Sequence, residues 1–281
     1  MAEPSDPVFP VELEREIFEH TALMFPHSIP SLLRVARHVY IWIEPLLYRV
    51  IRVGEHLGAI SALLNAVESG KPTQFFHHAV HHLTLETSES FDKLAPILRL
   101  LTGVTNFGCA NMWLDTGVVP ILTEMHHLRR LAGNFRGFFG GIDFTQPILS
   151  SLTHLDIFDG GWEFSILVAA VPLLPALTHL CLNTQYWDRI KEDSSGLLVG
   201  WPTLEVLLFQ WSMVTTMGMD EYESNKEPRI LDVRIVIGVY DDYFDEWEAD
   251  ARGSLSFWAE ADSFVSKKRK GEIEAHRFWI H

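Results

Sequence analysis

Cysteine is almost missing from this sequence. Two occur in 281 residues, Cys109 and Cys181, too few for the disulfide framework of an extracellular domain, so free thiols in a reducing compartment are the expectation. Positive charge is also scarce. Lys and Arg number 22 against 37 Asp and Glu, a formal net charge of −15, which repels phosphate backbones and anionic headgroups and argues against nucleic acid or membrane as a partner. No apolar run reaches the roughly 18 residues of a membrane helix, and Met1 to Asp6 lacks the basic and apolar regions of a signal peptide. The compartment implied is cytoplasm, nucleus or both. Catalytic motifs are missing too: there is no G-x-S-x-G elbow, P-loop, H-E-x-x-H or G-x-G-x-x-G pattern. The glycine-rich stretch from Gly133 to Gly141 lacks the lysine and hydroxyl of a phosphate cradle and reads as a loop. Neither an enzyme nor a cofactor is expected.

Apolar residues make up 47% of the chain, ordinary for a protein with a sizeable core, and they recur. Leu152-Thr153-His154-Leu155-Asp156-Ile157 and Leu177-Thr178-His179-Leu180-Cys181-Leu182 share one form, 25 residues apart. The looser pattern apolar-x-x-apolar-x-apolar extends the series, with fourth positions at 83, 107, 131, 155, 180, 207 and 233 and steps of 24, 24, 24, 25, 27 and 26. Stretches with helical spacing lie between, at 91–101, 118–125 and 162–173. A strand, loop and helix at this period resembles a degenerate leucine-rich repeat, which implies an α/β solenoid, or horseshoe. The ninth position, usually Asn or Cys, reads Ser88, Met112, Arg136, Gly160, Gln185, Ser212 and Gly238. An ordinary α/β domain with parallel strands is the alternative.

Strand alternation sends the fourth and sixth positions into the core and the third, fifth and seventh to an open concave face. Cys109 is thus core. The outward triplets His154/Asp156/Phe158 and His179/Cys181/Asn183 are the candidate substrate-binding residues, with Phe158 as an aromatic anchor whose truncation should weaken binding and leave stability alone. Fourteen histidines, among them His77, His78, His81 and His82 with Glu86 nearby, invite a metal. The recurrence of His82, His154 and His179 at one position of the repeat accounts for them without one, and no metal site is expected.

Residues 9–48 have another texture, with two helical stretches separated by Phe25-Pro26-His27-Ser28-Ile29-Pro30. Phe9-Pro10-Val11-Glu12-Leu13 with Ile17-Phe18, then Ser31-Leu32-Leu33-Arg34-Val35-Ala36-Arg37 and Pro45-Leu46-Leu47-Tyr48, resemble an F-box. The wording is similar to the expanded F-box-like families of mushroom-forming fungi, with Ala36 in place of the usual Cys and Val39 where a Trp often stands. The resemblance implies a substrate-recognition adaptor of a cullin ubiquitin ligase. Phe9, Pro10, Leu13, Ile17, Phe18, Leu32, Leu33, Val35, Pro45 and Leu46 would dock a Skp1-type subunit, and the repeats would hold a protein substrate. A free-standing interaction scaffold without a ligase is the alternative. Leu13, Ile17, Val35 and Leu46 suit mutual packing as well as contact; Phe9 and Pro10, ahead of the first helix, are the clearer contacts.

Tyr48 to Val53 matches the strand pattern and reads as an exposed edge strand. From Asp220 to Asp250 the chain is rich in carboxylates, among them Asp241, Asp242, Asp245, Glu246, Glu248 and Asp250, which lack the spacing of a calcium loop and read as a solvated acidic loop. Ser254 to Lys270 reads as an amphipathic helix with Ser254 as N-cap and Leu255, Trp258, Ala261, Phe264 and Val265 as its stripe, closing the last repeat. Lys267 to Lys270 complements the helix end or serves as a nuclear-import signal. The domains expected are an F-box-like helical block at 9–48, degenerate leucine-rich repeats at 49–240, and an acidic loop with a capping helix at 241–281.

Overall fold

Two apolar side chains on the same side of a short extended segment can be buried only if a neighbouring segment and a returning helix cover them. A computed structural model describes residues 9–54, 58–86, 91–110, 116–136, 143–159, 164–183, 194, 197–212, 232–240, 242–254 and 256–280. Among them nine such segments form one sheet, paired in parallel in chain order: β1 (Val50–Gly54), β2 (His82–Glu86), β3 (Asn106–Cys109), β4 (Arg130–Gly133), β5 (His154–Ile157), β6 (His179–Asn183), β7 (Val206–Ser212), β8 (Ile235–Tyr240) and β9 (Trp279–Ile280). Leu83, Phe107, Leu131, Leu155, Leu180 and Leu207 stand side by side. The next position is Ile235, not Val233. A shift of two keeps the same side chains on the same face, so the core is unharmed.

Return segments cover that face. They include α4 (Ala59–Glu68), α5 (Thr73–Ala79), α6 (Phe91–Leu98), α7 (Val119–Glu124) and α8 (Phe164–Ala170). Their apolar sides meet the inward strand residues in one continuous core from Ile51 to Phe278. Each fully buried Leu or Phe contributes about 1.5–3 kcal/mol by leaving water.

The chain before the sheet is helical, with α1 (Val11–Met24), α2 (Ile29–Leu32) and α3 (Arg37–Ile43) followed by a 3-10 turn over Glu44–Tyr48. Glu12 and Glu14 in the first turn complement the positive end of α1. Ala22, Ile29, Val39 and Ile43 form a small core of their own. The segment leans on α5 through Tyr48, whose ring meets Phe75 at 5.3 Å and Phe76 at 5.8 Å, and on the residues ahead of that helix through Lys71 to Glu44 at 2.6 Å.

The open horseshoe with a separate helical block and an end-capping helix is not what forms. The second face of the sheet is roofed by α9 (Tyr243–Ala251) and α10 (Phe257–Arg269), so the molecule is an α/β fold with a single parallel sheet covered on both sides. The acidic stretch after 240 is therefore helix over its greater part, started by Asp242, which accepts from Phe244 N at 2.8 Å and Asp245 N at 3.2 Å. Residues 220–231 and 241 of the acidic stretch lie outside the described residues, as do Leu255 and most of the glycine-rich loop. The second helix starts two residues later than expected, with Ser256 accepting from Ala259 N at 3.0 Å. It packs along β7, β8 and β9 rather than across the sheet's end; the last pairing, β8 with β9, extends the sheet instead. Nor is β1 a bare edge, since Arg52 is bracketed by Glu86 at 2.5 Å, Asp245 and Glu248 at 3.5 Å. No helix among the described residues is long and apolar enough to cross a membrane.

Candidate interaction site

Of the six residues expected to bind substrate, all but Asn183 meet the roof helices and so lie beneath them. Asp156, His179 and Cys181 are buried, and His154, Phe158 and Asn183 half-buried. The repeat pattern places them on the correct face of the strands; the roof helices then exclude solvent from it. Asp156 accepts a hydrogen bond from the Tyr243 hydroxyl of α9, and its other oxygen is buried without a partner among the described residues. Burial pushes its carboxyl up to about 7. The rings of His154 and His179 stack at 4.1 Å, both edge-on to Trp258 of α10 at 5.2 Å. Burial, and then the neighbouring His179, hold His154 neutral with its pKa lowered to about 2. His179 meets Asp262 at 3.0 Å. Cys181 packs with Val206, Leu208 and Phe257, and burial raises its thiol pKa.

Phe158 is a structural contact rather than an exposed anchor. Its ring meets Tyr243 at 4.9 Å and Phe244 at 6.0 Å, both edge-on. Phe158→Ala is therefore expected to cost about 2 kcal/mol, below the range of a fully buried Phe because the ring is half-buried. Urea denaturation measures this, and an unchanged midpoint would show that the ring does not hold the roof.

Further polar contacts tie roof to sheet. Trp247 Nε1 donates to Asn106 Oδ1 at 3.1 Å, and Arg130 pairs with Asp250 at 2.6 Å. Lys268, read with its neighbours as complementing the helix end or as part of an import signal, is buried. Its Nζ donates to the Ile235 carbonyl at 2.7 Å and sits over the rings of Phe264 and Phe278, and burial lowers its pKa to about 7. Sequence reading missed Tyr243, Trp247 and Asp250 as parts of this seam. Their helical spacing was the available signal, with Tyr243, Phe244, Trp247 and Ala251 placed to share one face. No group of three His, Cys, Asp or Glu side chains converges among the described residues as metal ligands would.

The amino-terminal helices present the opposite situation. Of the fifteen large apolar side chains that stand exposed among the described residues, eleven lie between Phe9 and Leu47. Such crowding on 39 residues marks a surface that water alone does not favour. Phe9 and Pro10 are exposed, as are Leu13 (48%), Ile17 (50%) and Val35 (59%). Leu13, Ile17 and Met24 fall on one face of α1, opposite the buried Ala22. Phe18, Leu32, Leu33 and Leu46 instead pack against the small helical core, and Pro45 is half-buried. Mutual packing thus accounts for Leu46 but not for Leu13, Ile17 or Val35. The ten residues expected to contact a partner therefore divide into five that face solvent and five that support them. No protein-family model matches this sequence and no curated protein is significantly similar to it, so the assignment of this exposed helical face rests on its own residues and their geometry.

Proposed function

We propose that the protein is a non-catalytic adaptor whose amino-terminal helices dock a Skp1-type subunit of a cullin ubiquitin ligase in the cytoplasm or nucleus, while the α/β body recruits a protein substrate. One observation carries the reading: the F-box-like segment holds most of the exposed large apolar side chains, on helices whose other sides are already packed. Apolar and aromatic residues at the centre of a contact supply most of its free energy, so a face built on Phe9, Leu13 and Ile17 suits a protein partner. The roofed sheet face withdraws His154, Asp156, His179 and Cys181 from recruitment, which falls to other surfaces of the body.

The test is titration of purified Skp1 into the full chain. Binding at micromolar concentrations is expected, weakened at least about tenfold by Leu13→Asp with Ile17→Asp. The thermal midpoint should hold, because both side chains stand half in water. No association at micromolar concentrations would leave these helices as a cover for the sheet's first edge, in keeping with a scaffold that has no ligase role.

A further inference from the structure

Where the amino-terminal helices meet the sheet, the chain leaves a cleft of about 980 Å³, the size of a small-molecule site. It opens at the starting ends of β1 to β4, between α1 and α2 on one side and the end of α9 on the other. Its two walls differ in chemistry. One is apolar, built from Ala22, Leu23, Pro26, Ile29 and Leu46. The other carries four guanidinium groups, of Arg49, Arg129, Arg130 and Arg252, against one carboxylate, Asp250.

That excess of positive charge runs against the composition of the whole chain. Asp250 occupies Arg130 at 2.6 Å, and Arg252 is held by Glu248 at 2.7 Å. Arg49 makes no ion pair among the described residues, and neither does Arg129, whose guanidinium donates to the Leu128 carbonyl at 3.0 Å. The backbone ladder sets the two apart: His81 N donates to Arg49 O, Thr105 N to His81 O, and Arg129 N to Thr105 O, each near 3 Å. Three strand spacings separate them, about 14 Å. Between them His82 lines the cleft with Nδ1 buried and without a partner among the described residues. Burial, and then the Arg49 charge, lower its pKa to about 4, so it offers a neutral ring at pH 7.

Two guanidiniums with no carboxylate partner among the described residues, facing an apolar wall, match one kind of occupant. We infer that this cleft binds a small amphiphile, an oxyanion head held by Arg49 and Arg129 and an apolar body laid along Ala22, Leu23 and Ile29. The site adjoins the docking face and shares Met24 and Leu46 with it, but the exposed side chains Phe9, Leu13 and Ile17 are not part of the cleft.

Calorimetric titration of the full chain with decanoate, decyl phosphate and decanol tests the assignment. One anion or both should bind with Kd below about 100 µM, and decanol at least about tenfold more weakly. The better of the two anions identifies the head as carboxylate or phosphate. The double variant Arg49→Gln/Arg129→Gln should lose at least about tenfold in anion affinity and leave decanol unchanged. Its thermal midpoint in the absence of ligand should stay close to the wild-type value, since neither guanidinium makes an ion pair among the described residues and the one bond lost is that from Arg129 to the Leu128 carbonyl. Three results would overturn the inference: no anion binding below about 1 mM, decanol binding as tightly as the anions, or anion affinity untouched in the double variant, which would place the amphiphile elsewhere.

Discussion

Replacing Gly103 by alanine should remove about 3 kcal/mol or more of stability, one of the largest losses a single methyl group can cause in this protein. Gly103 sits in the turn between α6 and β3. A Cβ there would lie 1.7 Å from the His77 carbonyl oxygen and 2.8 Å from its carbon. Both are backbone atoms, so no side chain can swing aside. The surroundings are held as well: His77 Nδ1 meets Thr102 Oγ1 at 2.9 Å, and Thr105 N donates to His81 O at 2.8 Å to begin the pairing of β2 with β3. Room for the methyl group comes only by moving two successive units of the sheet apart. Gly200→Ala is the control, because nothing lies within 4 Å of its Cβ position, and it should shift stability by less than about 0.5 kcal/mol. Urea denaturation of both variants decides the matter; equal midpoints would show that the turn yields freely.

The second large effect is one of pH. Asp156 is buried, with a single hydrogen bond from Tyr243, and its carboxyl is raised from the usual 3.8 to about 7 by burial. Tyr243 and Arg130 favour the charged form but do not offset that cost, while Asp250 adds to it. A raised carboxyl destabilises the fold in its ionised form, so the loss is absent below the unfolded pKa near 4. It grows as pH rises and is complete above about 7. Three pK units correspond to about 4 kcal/mol. Asp156→Asn keeps an acceptor for Tyr243 and removes the charge, so the variant should gain on the wild type by roughly that amount between pH 4 and pH 8. Unfolding at pH 4.5, 6 and 7.5 supplies the comparison. A constant difference across the range would mean that Asp156 ionises as it does in water.

Strand positions were legible because an inward pair every 24 to 28 residues leaves little freedom in register, as the row from Leu83 through Leu207 shows. The last unit slipped because Val233 and Ile235 both satisfy the alternation, and only pairing with Leu207 selects Ile235. Whether the second face lies open depends on distant chain, and there the local pattern misleads. Polar residues such as His154 and Asp156 on a strand look the same whether they meet water or a roof. The carboxylates of α9 read as a solvated loop, yet they turn to Arg52 and Arg130 while Phe244 and Trp247 face the sheet. On the amino-terminal helices, composition could not divide Leu13 and Ile17 from Leu46. The division follows from which side α3 and the turn at Glu44–Tyr48 occupy.

The bond from Arg52 to Asp245 joins residues 193 positions apart. Strands can pair with their predecessors as they leave the ribosome, but the roof that covers β1 to β8 follows them in the chain. At roughly 5–20 residues per second, Arg52 waits about 10–40 s for its partner. Val206, Leu208 and Val236 emerge late in that interval, onto a greasy surface that stays unshielded until residues 243–269 have been translated, which gives chaperones an apolar face to bind.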